Sequence, residues 1–231
     1  MLKNQKTKLL IALLTVGVFS HTPQALAFGL GNLGIGGAGG SASASPSTGG
    51  NPDEFIKTAM SAENLMNASV TQLVQSLASK KAAADIDATL KTANTTTDAK
   101  EKQAKQLEVK KSQDAALNEA LNNTDLKDKI QKMDSIQRKA LGAAAFNFSL
   151  ALLQDKSLSD QSKDLIAGMS SNPMNVSKLG DVKNLASSVT NQLSSASKVA
   201  GKMPEIFTAV GVKAPSTKDE KPMVIVQTEK E

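Results

Sequence analysis

From Asn51 to about Val212, apolar residues recur at steps of three and four positions, the spacing that puts them on one face of an α-helix. The first helix is predicted to begin at Asn51, a capping residue followed by proline. The pattern predicts that this helix continues to about Ala93. Its apolar face is Phe55, Ala59, Ala62, Met66, Val70, Leu73 and Leu77.

A second, mostly charged helix is predicted to begin at the capping residue Asp98 and to end near Leu121. A helix this polar is either weakly covered by one neighbour or projects from the body. We therefore expect residues 80–122 to form a helical hairpin that partly leaves the core. Its lysines alternate with glutamates, which favours a solvated face over the alternative of a partner-binding surface. The few apolar residues of this helix are Ala104, Leu107, Ala115, Leu117 and Leu121.

A third helix is predicted to begin at Asp125 and to form the centre of the fold. Residues 140–153 are apolar nearly all round, but fourteen residues fit a buried helix better than a membrane span. Residues 157–161 are predicted to cap a shorter helix, Asn172 to cap one or two turns that Gly180 ends, and Asp181 to open the last long helix. The predicted core is Phe55, Met66, Leu73, Ile130, Leu141, Phe148, Leu152, Leu185, Val189 and Leu193.

These elements predict an all-α fold: an antiparallel bundle of five to six helices in one domain, residues 51–212, with a partly projecting hairpin. Residues 28–50 are rich in glycine and serine and are predicted to be a disordered tether. Residues 213–231 are predicted to be a flexible charged tail. Within that tail the apolar residues 223–226 indicate docking on the protein's own body or disorder, with addition to a partner's sheet edge as the alternative.

The first residues are typical of a cleaved signal peptide. Three lysines precede an apolar run over residues 9–19, and Ala25 and Ala27 form a site with small side chains before Phe28. We therefore expect residues 1–27 to be removed and the mature chain, beginning at Phe28, to be periplasmic or secreted. The apolar run is too short for an ordinary membrane span, so an uncleaved anchor is the less favoured alternative, and no transmembrane segment follows the cleavage site.

Removing the signal peptide changes the composition that matters for function. The mature chain would hold 24 basic residues, of which one is arginine, and 22 acidic residues. It would hold no Cys, His, Trp or Tyr. A charge so close to balance, without aromatic stacking residues, does not favour nucleic acid. Without cysteine, we expect stability to come from the core alone.

Most catalytic and cofactor chemistry lacks its usual residues in the mature chain. Without His or Cys there is no Ser-His-Asp arrangement, thiolate nucleophile, or common zinc or haem ligand. Residues 29–34 match G-x-G-x-x-G, but no strand precedes them and no helix follows, so no dinucleotide is expected. Ser/Lys pairs at 195–198 and 76–81 lie on polar stretches. No cofactor or metal is expected, and the chain is predicted not to be an enzyme.

By elimination, we expect an exported helical protein of the bacterial cell envelope that binds protein partners or serves as an accessory subunit. The hairpin is its expected contact surface and least stable part. One alternative is a carrier of a lipid-like ligand, which requires a cavity lined by large apolar groups, whereas the predicted core is rich in alanine. Another is an enzyme that uses Ser, Lys or carboxylates. The sequence does not indicate which partner binds or the oligomeric state.

Overall fold

A computed structural model describes residues 51–171 and 176–225. Within these ranges the chain forms seven α-helices and no β-strand, which confirms the all-α prediction. The predicted signal peptide, cleavage site and tether, the cap Asn172 and residues 226–231 lie outside the described residues. The helices are α1 (Pro52–Leu77), α2 (Lys80–Thr95), α3 (Ala99–Leu121), α4 (Leu126–Gln131), α5 (Ser135–Ser170), α6 (Val176–Ala200) and α7 (Met203–Val210).

The first predicted helix is in fact two helices, so its predicted continuation to Ala93 is wrong. The backbone is extended at Ala78 and Ser79, and the Ser79 side chain accepts a hydrogen bond from the backbone N–H of Ala82. Serine is a favoured capping residue because its hydroxyl satisfies a backbone N–H that the new helix leaves free. The apolar spacing continues across the break and concealed this local signal.

The central helix also differs from the prediction at both ends. A break at residues 132–134 separates α4 from α5, where Asp134 and Gln137 form a reciprocal capping box. Beyond it, α5 continues through the predicted break at 157–161, because Leu158 and Leu165 extend its buried face. The predicted stop at Gly180 is wrong as well, since α6 runs through it. Glycine in a helix costs about 1 kcal/mol, which the packing of α6 can offset.

Helix α5 lies at the centre and packs against α1, α6 and α7. Two apolar clusters surround it. Cluster A joins the second half of α1, the first half of α5 and the end of α6, and includes Leu73, Leu141 and Phe148. Cluster B joins the start of α1, the second half of α5 and α6 as far as residue 189, and includes Phe55 and Leu165. The start of α1 therefore lies beside the end of α5.

The predicted core residues divide between these clusters and their edges. Three of them, Leu152, Leu185 and Leu193, are only half-buried and pack against the outside of a cluster. The buried ones are Phe55, Met66, Leu73, Ile130, Leu141, Phe148 and Val189. No helix in the described ranges combines the length and the apolar character needed to cross a membrane.

The ends of α1 are fixed by polar contacts. At its start, the Asn51 side chain accepts a hydrogen bond from the Asp53 N–H at 3.0 Å, and the Asp53 carboxylate forms an ion pair with Lys178 of α6. At its end, the Lys129 ammonium group of α4 donates to the carbonyl oxygens of Leu77 and Ala78. A cation at the C-terminal end of a helix satisfies free carbonyl groups and interacts favourably with the negative end of the helix dipole.

Two helical glycines of α5 give a matched test of this packing. A Cβ atom at Gly142 would lie 2.8 Å from a methyl carbon of Val212, whereas one at Gly168 would meet nothing within 4 Å. Gly168→Ala should therefore stabilise the protein by about 0.5–1 kcal/mol through helix propensity. Gly142→Ala should fall short of that gain by about 1 kcal/mol or more, because Val212 must move.

Urea unfolding of both alanine variants measures this difference. As a control, Gly142→Ala should be added to the Val212→Ala protein, where it should recover most of the gain because the methyl carbon at 2.8 Å is gone. Equal stabilisation at the two glycines would show that residues 210–212 do not pack closely on α5.

Candidate functional site

The last two residues of α2, the connection to α3 and the first ten residues of α3 have no buried side chain among those described. Among the described side chains of residues 94–108, every one is exposed or half-buried. We call residues 94–108 the arm. Its only large exposed apolar side chain among those described is Leu107, which is 53% exposed. The buried residues of α3 begin only after the arm and are Val109, Gln113, Ala116, Leu117 and Leu121.

The buried face of α3 corrects the apolar stripe predicted from the sequence. Leu117 and Leu121 are buried as that stripe requires, but Ala104, Leu107 and Ala115 are exposed. The buried face instead follows Val109, Gln113 and Ala116. Because Gln113 is polar, the apolar pattern could not predict that it lies on the buried face. Helix α3 therefore belongs to the core from residue 109 onward.

Just beyond the arm, two polar contacts hold α3 against α1. The Lys110 ammonium lies 3.4 Å from the Glu63 carboxylate, and the Gln113 amide donates to the Thr71 hydroxyl at 3.0 Å. Because Gln113 is buried, its hydrogen bond satisfies an amide that would otherwise be unpaired in the core. These contacts mark where α3 leaves the body.

The surface of the arm is charged but balanced. Asp98 caps α3 by accepting a hydrogen bond from the Glu101 N–H at 2.8 Å, and Glu101 also pairs with Lys105 at 2.8 Å. The three lysines and three acids of the arm cancel in formal charge. Net charge therefore gives the arm no preference for an acidic or a basic partner, and Leu107 is its main apolar feature.

Asp155 of α5 is the most unusual side chain in the core. It is fully buried, and neither of its carboxylate oxygens has a hydrogen-bond partner. Burial raises the pKa of Asp155 to about 7, and the negative charge of Glu63 on α1 adds to this effect. The carboxyl group is therefore close to half protonated at neutral pH.

A second polar group of α5 holds the C-terminal segment. Asn147 is buried, and its side-chain amide donates to the Met223 carbonyl at 2.8 Å while its oxygen accepts from the Met223 N–H at 2.7 Å. Gln154 also donates to the carbonyl of Lys218. The segment predicted to be a flexible tail from residue 213 thus contacts α5 through the backbone of Lys218 and Met223.

A loop in this segment is closed by one carboxylate. Glu220 accepts hydrogen bonds from the N–H and the hydroxyl of Ser216 and from the N–H of Thr217. These bonds hold the pKa of Glu220 below its usual value, because they favour the ionised form. Met223 and Val224, just beyond the loop, leave large apolar side chains exposed.

A groove of about 950 Å³ lies between the start of α1, the second half of α5 and this C-terminal segment. Its large apolar lining residues, Phe55, Leu158 and Leu165, are almost fully buried. Most of the other lining residues are polar, with more acids than bases. The charged lining residues are Glu54, Asp164, Asp219 and Lys218.

The Ser/Lys pairs considered from the sequence have other roles in the structure. Ser79 caps α2, Ser195 donates to a backbone carbonyl of its own helix, and the lysines beside them are exposed. Asp155 is the carboxyl group with the most strongly raised pKa, but it is sealed from solvent. Within residues 51–171 and 176–225, no group of three or more acidic side chains could hold a metal ion.

Sequence reasoning missed Asp155, Asn147 and Lys129. A signal for Asp155 was present: it lies four residues after Ala151 and three before Leu158, on the buried face of α5. A carboxylate at such a position marks an unusual core site. Asn147 gave a similar signal, because it lies within the apolar residues 140–153, whereas Lys129 gave none.

The chain was compared with protein-family models, curated proteins and solved structures, and none of them matches.

Proposed function

We propose that this protein is an exported, non-enzymatic helical protein of the bacterial cell envelope that binds a protein partner through the arm, residues 94–108. The signal-like N-terminus supports export, and the helical body is proposed to be an antiparallel bundle that carries the arm. The observation that carries the proposal is that no described side chain of the arm is buried, while Leu107 is exposed close to its inner end.

Helices without packing partners are marginally stable in water, because few tertiary contacts offset their loss of entropy. The arm nevertheless continues α2 and α3 beyond the part that the core covers. A partner that packs on the arm would supply the missing contacts, with Leu107 as the apolar group that it buries. Balanced charges around Leu107 would form the polar rim of such an interface.

The lining of the groove favours a protein that binds a protein partner over a carrier of a lipid-like ligand. This lining has few large apolar side chains and mixes polar with apolar surface, whereas pockets for lipid-like ligands are lined mainly by hydrophobic side chains. The sealed position of Asp155 gives no support to a carboxylate enzyme either, because a substrate would have to reach that group.

Two exposed apolar residues allow a matched test. Leu107 in the arm is 53% exposed, and Ile136 at the start of α5 is 54% exposed. The full chain, Leu107→Glu and Ile136→Glu should be used to co-purify bound proteins from the envelope of the source cells. A partner of the arm should bind the unchanged chain and Ile136→Glu but be lost with Leu107→Glu.

Circular dichroism should show that both variants remain equally helical, because neither change affects a buried residue. Retention of every captured protein by Leu107→Glu, or equal loss with both variants, would contradict binding through the arm.

A further inference from the structure

Asp155 lies where the apolar core is interrupted. On α5, cluster A ends at Ala151 and cluster B begins at Leu158, with Asp155 between them. On α1, Ala62 belongs to cluster B and Met66 to cluster A. The two clusters therefore meet beside a fully buried carboxyl group. We call residues 59–66 of α1 and 151–158 of α5 the joint.

The protonation state of Asp155 decides how well this joint can close. A neutral carboxyl group without partners is tolerated in a core at a modest cost, whereas an isolated charge there is far less favourable. Neither oxygen has a partner that could stabilise the charge. Closure of the joint is therefore compatible with the protonated form and opposed by the ionised form.

The charged groups on the neighbouring helices do not relieve this conflict. Glu63 of α1 is the group whose charge acts on Asp155, and its sign opposes ionisation. The ammonium group of Lys110 on α3 is paired with the carboxylate of Glu63. The charged residues from α6 to the end of the described C-terminal segment are bonded elsewhere or exposed: Lys178, Asp181, Lys183, Lys198, Lys202, Glu205, Lys213, Lys218, Asp219, Glu220 and Lys221. On α5 itself, Lys156 and Asp160 are exposed.

We propose that Asp155 makes the contact between α1 and α5 a proton-controlled joint, closed while the carboxyl group is protonated and opened locally when it ionises. Opening would let water reach the carboxylate and separate it from Glu63. Because clusters A and B each have their own apolar contacts between α1 and α5, the joint can open without the unfolding of cluster A. The device responds to proton concentration around neutral pH and does not depend on binding by the arm.

Amide hydrogen exchange of the full chain at pH 5 and pH 8, corrected for the intrinsic pH dependence of exchange, tests this directly. If Asp155 titrates at about 7 when closed and at 3.8 when exposed, opening of the joint should increase about 100-fold between these two pH values. Residues 141–148 of cluster A should change much less. In Asp155→Asn, which cannot ionise, the joint should exchange at the same corrected rate at both pH values.

Carbon NMR of the Asp155 carboxyl group gives a second readout that a purely structural role would not affect. Its chemical shift should titrate with a midpoint near 7 in the unchanged chain, and Glu63→Gln should lower that midpoint. A midpoint near 4, or exchange at the joint that does not depend on pH, would overturn the proposal. So would an equal increase at every protected amide, because that would be global destabilisation.

Discussion

Phe148→Ala is expected to lower the free energy of unfolding by about 3–5 kcal/mol. Phe148 is 1% exposed and lies in cluster A on the central helix. Removing its ring withdraws a large apolar surface from the core and leaves a cavity that the surrounding residues of cluster A would have to close. Since domains of this kind are stable by about 5–15 kcal/mol, the loss threatens folding itself.

Urea or thermal unfolding followed by circular dichroism measures this effect. Leu107→Ala is the matched control, because its exposed side chain should change stability by no more than about 0.5 kcal/mol. An unchanged unfolding curve for Phe148→Ala would mean that this face of α5 does not lie in the core.

Asp155→Asn is expected to abolish a pH-dependent loss in the free energy of unfolding that is of similar size. The folded-state pKa of Asp155, about 7, lies above its value of 3.8 when unperturbed, so the folded protein binds the proton more tightly than the unfolded chain does. The resulting stability is fully present below pH 3.8 and is lost as the pH rises to about 7. The loss is about 4 kcal/mol, because each pKa unit corresponds to about 1.4 kcal/mol.

Asparagine cannot ionise, so the variant should lack this loss. Urea unfolding of both proteins between pH 4 and pH 8 should show that Asp155→Asn gains stability relative to the unchanged chain by about 4 kcal/mol over this range. Using the difference between the two proteins cancels the other titrating groups, which they share. Parallel stability curves would show that the carboxyl group is solvated or paired in the folded protein.

The apolar spacing was sufficient to predict an all-α fold and the central position of Phe148, because three- and four-residue steps report directly on a helix face. It was not sufficient to place the helix ends. Ser79 interrupts a continuous apolar pattern, whereas Gly180 does not end its helix even though glycine often does. Whether a helix ends at such a residue depends on competition between local capping and tertiary packing. Capping residues can be recognised in the sequence, whereas tertiary packing is known only from the structure.

The candidate site was less accessible to sequence reasoning than the fold. The thin apolar stripe of α3 indicated a hairpin that leaves the core, but the buried face was misplaced because Gln113 bonds to Thr71, 42 residues away. Asn147 likewise holds Met223, 76 residues further along the chain. Polar contacts between distant residues have no periodic signature, and for this reason the pattern could not reveal them.

The arm provides the most direct test of the account, because binding through residues 94–108 requires that the core does not already hold them. Hydrogen exchange of the free, full-length protein at a single pH compares the two halves of α3 within one helix. Residues 94–108 should exchange through local opening well before residues 109–121 and before residues 140–151 of α5. Protection of residues 94–108 equal to that of residues 140–151 would contradict the account, since the arm would then be part of the core.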